Sequence, residues 1–199
     1  MAKRVFDLVV GGLVLIAALP AMAVIAVAIR AESRGAPLFR QRRAGHRGKP
    51  FTMLKFRTMR PTADPYGRSP ESGADPRLTR VGQFLREHSL DELPQLFNVV
   101  IGTMSLVGPR PLYQRQAARW TARQRRRLDV RPGITGWAQI HGRGEVPLEE
   151  KIELDLWYVD HRSLGLDVKI LWATVAGAVR GGRGVYEKKY SHDQQRERY

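Results

Sequence analysis

The sequence predicts an α+β fold: a mostly helical single domain with a small β element, preceded by a long apolar N-terminal helix. Three observations carry this. The 199 residues suffice for one ordinary domain, and 43% of them are hydrophobic, enough for a packed core over most of the length. Beyond residue 78, apolar residues recur at helical spacing in several stretches, whereas strand-like runs are confined to residues 37–58. Those strands are too few and too short for a doubly wound sheet, and no internal repeat is present.

The N-terminal element is the most distinctive. From Leu8 to Ile29 no charged or strongly polar side chain occurs. At about 1.5 Å per residue such a helix reaches roughly 33 Å, the thickness of a bilayer's hydrocarbon core. Three readings compete. A cleaved signal peptide would use Lys3 and Arg4 ahead of the run and Ala21-Met22-Ala23 as its cleavage site, but the apolar run continues through Val24, Ile25, Val27 and Ile29. The others are a helix that spans the bilayer and a re-entrant one that dips into one leaflet and returns. Lys3 and Arg4 precede the run and Arg30, Arg34 and Arg40 follow it, so both ends favour the cytoplasmic side. Pro20, near the middle, lacks the N–H of a helical residue and is expected to kink the helix.

Pro37-Leu38-Phe39 and Phe51–Phe56 read as short strands or a hairpin around the basic Arg42–Pro50 segment. Residues 61–77, with Pro61, Pro65, Pro70 and Pro76, read as a loop. A short helix is expected over Thr79–Glu87, and a second carries Leu93, Leu96, Phe97 and Val100 with Gly102 just past its end. Gly108–Pro111 is a stiff turn. Further helices are expected over Leu112–Leu128, Leu148–Asp160 and Val168–Val179, followed by a polar tail from Gly181.

Composition narrows the function. The absence of cysteine excludes a disulfide framework and a thiolate nucleophile. A formal net charge of +15 attracts polyanions: nucleic acid, anionic lipid surfaces or small phosphorylated substrates. There is no Walker A, no G-x-G-x-x-G and no Asp-x-Asp, and the five histidines show no paired metal-binding spacing.

Ser89-Leu90-Asp91-Glu92-Leu93-Pro94 is the candidate site. Ser89 and Glu92 are spaced as a capping box, the purely structural explanation. With Ser89 as cap, Pro94 would fall at the fifth helical position and break a bond; a cap at Leu90 or Asp91 returns it to the tolerated first turn. The carboxylates then stand at a helix N-terminus, which favours ionised Asp91 and a bound phosphate. A carboxylate can attack phosphorus to form an acyl-phosphate while its neighbour holds a metal. Lys55, Arg57, Arg86, Arg110, Arg131 and Arg143 are candidates to bind the substrate's phosphates, each competing with the plain reading of a solvated surface charge.

Four blocks in order resemble the signatures of one family: Lys55-Phe56-Arg57-Thr58-Met59, Ser89 to Asn98, Met104 to Pro111, and Arg131 to Gln139. They are similar to the bacterial sugar transferases, the monotopic phosphoglycosyl transferases that begin polysaccharide and glycoprotein assembly. The resemblance runs from Lys3 to Val179. It implies transfer of a sugar-1-phosphate from a UDP-sugar donor to polyprenyl (undecaprenyl) phosphate with release of UMP, as the first membrane step of glycoconjugate or exopolysaccharide assembly. It implies Asp91 as nucleophile, Glu92 as Mg²⁺ ligand, and a re-entrant anchor broken at Pro20. It also implies a monotopic place in the bacterial inner membrane, the site facing the cytoplasm, with anionic lipids as partners and homo-oligomerisation left open. The expected division is an anchor over residues 1–30, a catalytic domain over 31–180 and a tail over 181–199, the family's minimal catalytic unit. Two positions depart from the pattern: Leu19 stands before Pro20 where members often carry serine, and His141-Gly142-Arg143 stands where Asn-Gly-Arg is expected.

The rival class is a basic membrane-tethered module that binds nucleic acid or anionic lipid without catalysis, favoured by the Arg123–Arg127 run. A nucleic-acid partner is not expected. A polytopic polyprenyl-phosphate transferase fails, because one segment alone is long and apolar enough to enter a bilayer.

Overall fold

The computed structural model describes residues 1–64, 67, 69–118, 120–142 and 145–179. Helix α1 runs over Ala2–Glu32 and is followed by an antiparallel hairpin, β1 (Leu38–Ala44) and β2 (Pro50–Phe56), in register from Leu38 opposite Phe56 to Ala44 opposite Pro50. Then come α2 (Arg80–Glu87), a 3-10 turn at Leu90–Glu92, α3 (Gln95–Ile101) and β3 (Ser105–Val107). Two short helices, α4 (Gln114–Ala118) and α5 (Ala122–Arg125), lead to β4 (Gly133–Thr135), α6 (Trp137–Ile140), α7 (Leu148–His161) and α8 (Leu164–Val179). The α+β class, small β content and long apolar N-terminal helix are as expected. The tail over 181–199 lies outside the described residues.

Two expectations need correction. The helix expected over Leu112–Leu128 is two short ones, because Trp120 turns into a small core with Leu112, and Thr121 restarts the helix with a capping box to Gln124. The strands β3 and β4 pair in parallel, Ser105 opposite Gly133 and Val107 opposite Thr135, a pairing outside the expected β element of residues 37–58. Three-residue strands are too short to show a period. Their approach requires glycine: a Cβ on Gly133 would stand 2.1 Å from the Gly108 backbone nitrogen. Pro20 sits inside α1 with helix on both sides. One missing donor removes one bond of the ladder, and helicity continues through it.

Both ends of α1 are tied to the same body. At the N-terminal end Arg4 donates to the carbonyls of Val99 and Val100 at 2.6 and 2.8 Å, acceptors in the last turn of α3. Asp7, fully buried, accepts from Ser105 Oγ at 2.9 Å and the Leu106 N–H at 3.1 Å, and Lys3 joins it to Asp167 of α8. At the other end Glu32 accepts the first N–H groups of α2, from Arg80 and Val81, at 2.7 and 2.9 Å. Between these ties Gly11, Leu15, Met22 and Ile29 are buried, while Val9, Ile16, Val24 and Val27 stay exposed. The helix thus has one protein-facing stripe and one bare apolar face.

Candidate active site

The site is assembled from two sequence-distant pieces locked by one side chain. Along β2, Phe51 and Met53 point inward, and Lys55 occupies the next position of the same period-2 face. Asn98 of α3 completes the strand's hydrogen bonding: its Oδ1 accepts from the Leu54 N–H at 3.0 Å and its Nδ2 donates to the Thr52 carbonyl at 2.8 Å. This pins α3 against β2 and brings the turn before α3 opposite Lys55. There Lys55 Nζ donates to Glu92 Oε1 at 2.8 Å. Arg110, fixed between Pro109 and Pro111 at the exit of β3, donates to the same oxygen at 2.8 Å.

Ser89 adopts a left-handed conformation, φ 57 and ψ 19, and its side chain makes no capping bond. The capping-box explanation therefore fails. Asp91 and Glu92 occupy the 3-10 turn, and Pro94 precedes α3, where its missing donor breaks nothing. Asp91 is thus not in the first turn of α3, and its electrostatics differ from the expectation of a dipole-favoured anion. Burial pushes its carboxyl above the usual range and the neighbouring Glu92 adds to this, while Lys55, Arg86 and Arg110 pull it back. Burial would also raise Glu92, but Arg110 and Lys55 outweigh it and hold Glu92 well below the ordinary carboxylate range. Two adjacent acids are driven apart by their surroundings, Glu92 downward and Asp91 upward.

A cavity of about 660 Å³ opens in front of them, lined by Asp91, Glu92, Lys55, Arg57, Arg86 and Arg110 among others. Asp91 accepts no hydrogen bond among the described residues, although it is buried. Arg86 is steered by Nε donation to Thr58 Oγ1 at 2.9 Å. Arg57 lines the cavity, but its guanidinium donates to the carbonyls of Ser33 and Arg34, holding the end of α1. Arg131 does not line the cavity; it donates to the Gly102 carbonyl at 2.8 Å, closing the end of α3. Arg143 lies outside the described residues.

Sequence reasoning missed three contributors. Asn98 stands in the motif but its strand-bracing role needs β2 beside it. Gln95 is buried and lines the cavity, with an amide nitrogen that has no partner. Arg127 is buried, pairs with Asp155 of α7 and donates to the Arg110 carbonyl at 3.0 Å, fixing the backbone that presents Arg110. In the sequence it is one of the Arg123–Arg127 run, with nothing nearby to mark it for burial.

No group of three or more His, Asp or Glu residues suited to a metal occurs among the described residues. A site for Mg²⁺ needs fewer, since this ion takes one or two protein carboxylates and completes its shell with phosphate oxygens and water. Lys55 and Arg110 both donate to Oε1 of Glu92, and no hydrogen bond to its Oε2 is formed among the described residues, so the residues present fit the ion.

The family model described as bacterial sugar transferase matches residues 1–181. The chain is 47% identical to the uncharacterized sugar transferase EpsL of Bacillus subtilis over 87% of its own length and 85% of that protein's. It is 42% identical to a UDP-glucose:undecaprenyl-phosphate glucose-1-phosphate transferase of Escherichia coli, covering 88% of this chain but 39% of that protein. A protein of the same name in Caulobacter vibrioides is 42% identical, with 88% and 68% covered.

Proposed function

The chain belongs to the bacterial sugar transferase family, and from that premise we propose that it moves a sugar-1-phosphate from a UDP-sugar to polyprenyl phosphate at a bacterial membrane, through a covalent intermediate on Asp91. The observation that carries this is a buried carboxylate, Asp91, that makes no hydrogen bond or ion pair among the described residues and faces a cavity lined by Lys55, Arg57, Arg86 and Arg110.

An Oδ atom of Asp91 attacks the sugar-bearing phosphorus. The bond from that phosphorus to the bridging oxygen breaks, and UMP leaves with the electron pair. Polyprenyl phosphate then attacks the same phosphorus, the phosphorus–Asp91 bond breaks, and the carboxylate is restored with no net proton change. Arg110 and Lys55 hold Glu92 beside the reacting group, and Arg86, aimed by Thr58, meets the non-bridging oxygens. Phosphoryl transfer asks mainly for such positioning and charge neutralisation. Mg²⁺ would be held by Glu92 and would neutralise the donor's diphosphate.

The relatives' names support a UDP-sugar donor and an undecaprenyl phosphate acceptor. The two ties of α1 to one body support a re-entrant, monotopic anchor: a helix held at both ends by the same domain has no end free to cross to the far side. The basic flanks support the cytoplasmic side for that domain.

The test is donor without acceptor. A panel of UDP-sugars with Mg²⁺ should yield one member that releases one UMP per enzyme and adds one phospho-sugar to the peptide containing Asp91. Asp91→Asn should give neither. UMP release that requires acceptor would replace this scheme by direct transfer, and an undiminished burst in EDTA would remove the metal.

A further inference from the structure

The cavity in front of Asp91 has two kinds of wall. Around the acids it is charged. Elsewhere it is lined by Val14 of α1, Leu106 of β3, Ile134 of β4, and Leu171 and Val175 of α8. The hydroxyls in this part bond inward: Thr135 Oγ1 and Thr174 Oγ1 lie 2.7 Å apart, and Thr174 also donates to the Ile170 carbonyl. Gln139, whose amide donates to the Ile134 carbonyl, is the further polar residue here, and the side chains of Val14, Leu106, Ile134, Leu171 and Val175 are aliphatic.

This lobe is not sealed. Val14 is 44% exposed and Val175 is 59% exposed. They stand on two helices that both pack on β3 and both carry bare apolar faces. On α8 that face is Leu164, Val168, Trp172 and Val175, recurring at helical spacing along one stripe. A single cavity therefore joins the nucleophile to a gap between two helices whose outer surfaces suit hydrocarbon.

We propose that this lobe takes the first isoprenoid units of the acceptor, which enter sideways between α1 and α8 while the acceptor's phosphate reaches the phosphorus on Asp91. The inference rests on the function proposed above and adds the acceptor's binding site to it. A lipid phosphate starts at the headgroup level with its tail in hydrocarbon. Bringing its oxygen to a buried phosphorus drags the first isoprene units along, and water-exposed hydrocarbon opposes that displacement. An aliphatic conduit open to the bilayer removes the opposition. It also separates the substrates, the soluble donor meeting the cationic wall and the lipid the apolar one.

The full chain in lipid nanodiscs tests this, with undecaprenyl phosphate as acceptor and the UDP-sugar that supports turnover as donor. Val14→Trp and Val175→Trp fill the lobe from its exposed rim, where added bulk does not enter the core. Leu13→Trp, one position along α1 and absent from the lining, is the bulk control. The expected result is a rise of about tenfold or more in the acceptor KM for both lobe variants, with the acceptor-free UMP burst as in wild type and the control within about twofold. An unchanged acceptor KM overturns the inference and leaves the lobe to bilayer phospholipid. A burst that falls in parallel with turnover also overturns it and assigns the lobe to the donor or to folding. A wild-type enzyme without a burst would refute the covalent scheme alone, since the acceptor KM is still read at steady state.

Discussion

Asp91 and Glu92 share a turn and a type of side chain, yet the structure gives them opposite electrostatics. Glu92 is held ionised by two cations. Asp91, raised by burial and by its neighbour, keeps its charge only partly compensated. The donor half-reaction needs the carboxylate, so its rate should fall on acidification at a higher pH than a free aspartate would dictate. Lys55 is the strongest of the influences that lower Asp91, and Lys55→Gln should move that acid limb further up the pH scale. The pH profile of the UMP burst reads this directly; a limb unmoved or moved down would assign the titration elsewhere. The same shift has a stability sign. A folded-state pKa above the unfolded one means that stability is lost as pH rises between the two values, so at neutral pH ionised Asp91 costs stability. Asp91→Asn should therefore raise Tm while abolishing the burst, by about 2–4 °C per kcal/mol relieved in a chain of this size.

At the scale of elements, function depends on a few joints between short pieces. The parallel pair of β3 and β4 carries Arg110 at its exit, and the pair closes only because Gly108 and Gly133 let two backbones touch. Gly133→Ala should cost on the order of 1–3 kcal/mol through backbone displacement. It should also lower turnover more than donor-independent folding measures suggest, because Arg110 shifts from Glu92. Thermal denaturation and kcat together check this, and a variant with normal Tm and kcat would refute the strand contact. The hairpin was legible in the sequence because its strands are long enough to alternate. The β3–β4 pair, the short α6 and the break at Trp120 were not, because three or four residues carry no period.

For the whole molecule, topology is the quantity at stake. If α1 is re-entrant, cysteines at Ala2 and Ala36 should both react with impermeant reagent only from the cytoplasmic side of spheroplasts or inverted vesicles. Labelling of position 2 from the periplasm would make α1 a spanning helix. The +15 charge takes a different meaning once the chain is folded. Within the Arg123–Arg127 run, Arg123 pairs with Glu153, Arg126 with Asp160 and Arg127 with Asp155, all on α7. The run that favoured a polyanion-binding module is in large part an internal ion-pair seam, and what it braces is the carbonyl of Arg110.

The sequence by itself determined the apolar length of α1, the helical periods of α2, α3, α7 and α8, and the four motif blocks that carry the family. These are local quantities: a run of apolar residues, a spacing, a short string of residues. Tertiary structure alone decided that Lys55 and Arg110 converge on one oxygen of Glu92 while Arg57 and Arg131 serve helix ends instead. It also decided that α1 is held at both ends, and that the cavity reaches from Asp91 to Val14 and Val175. An arginine in a motif carries charge wherever it lies. Whether that charge meets a substrate or a backbone carbonyl depends on which distant segment packs beside it, and no window along the chain contains both partners.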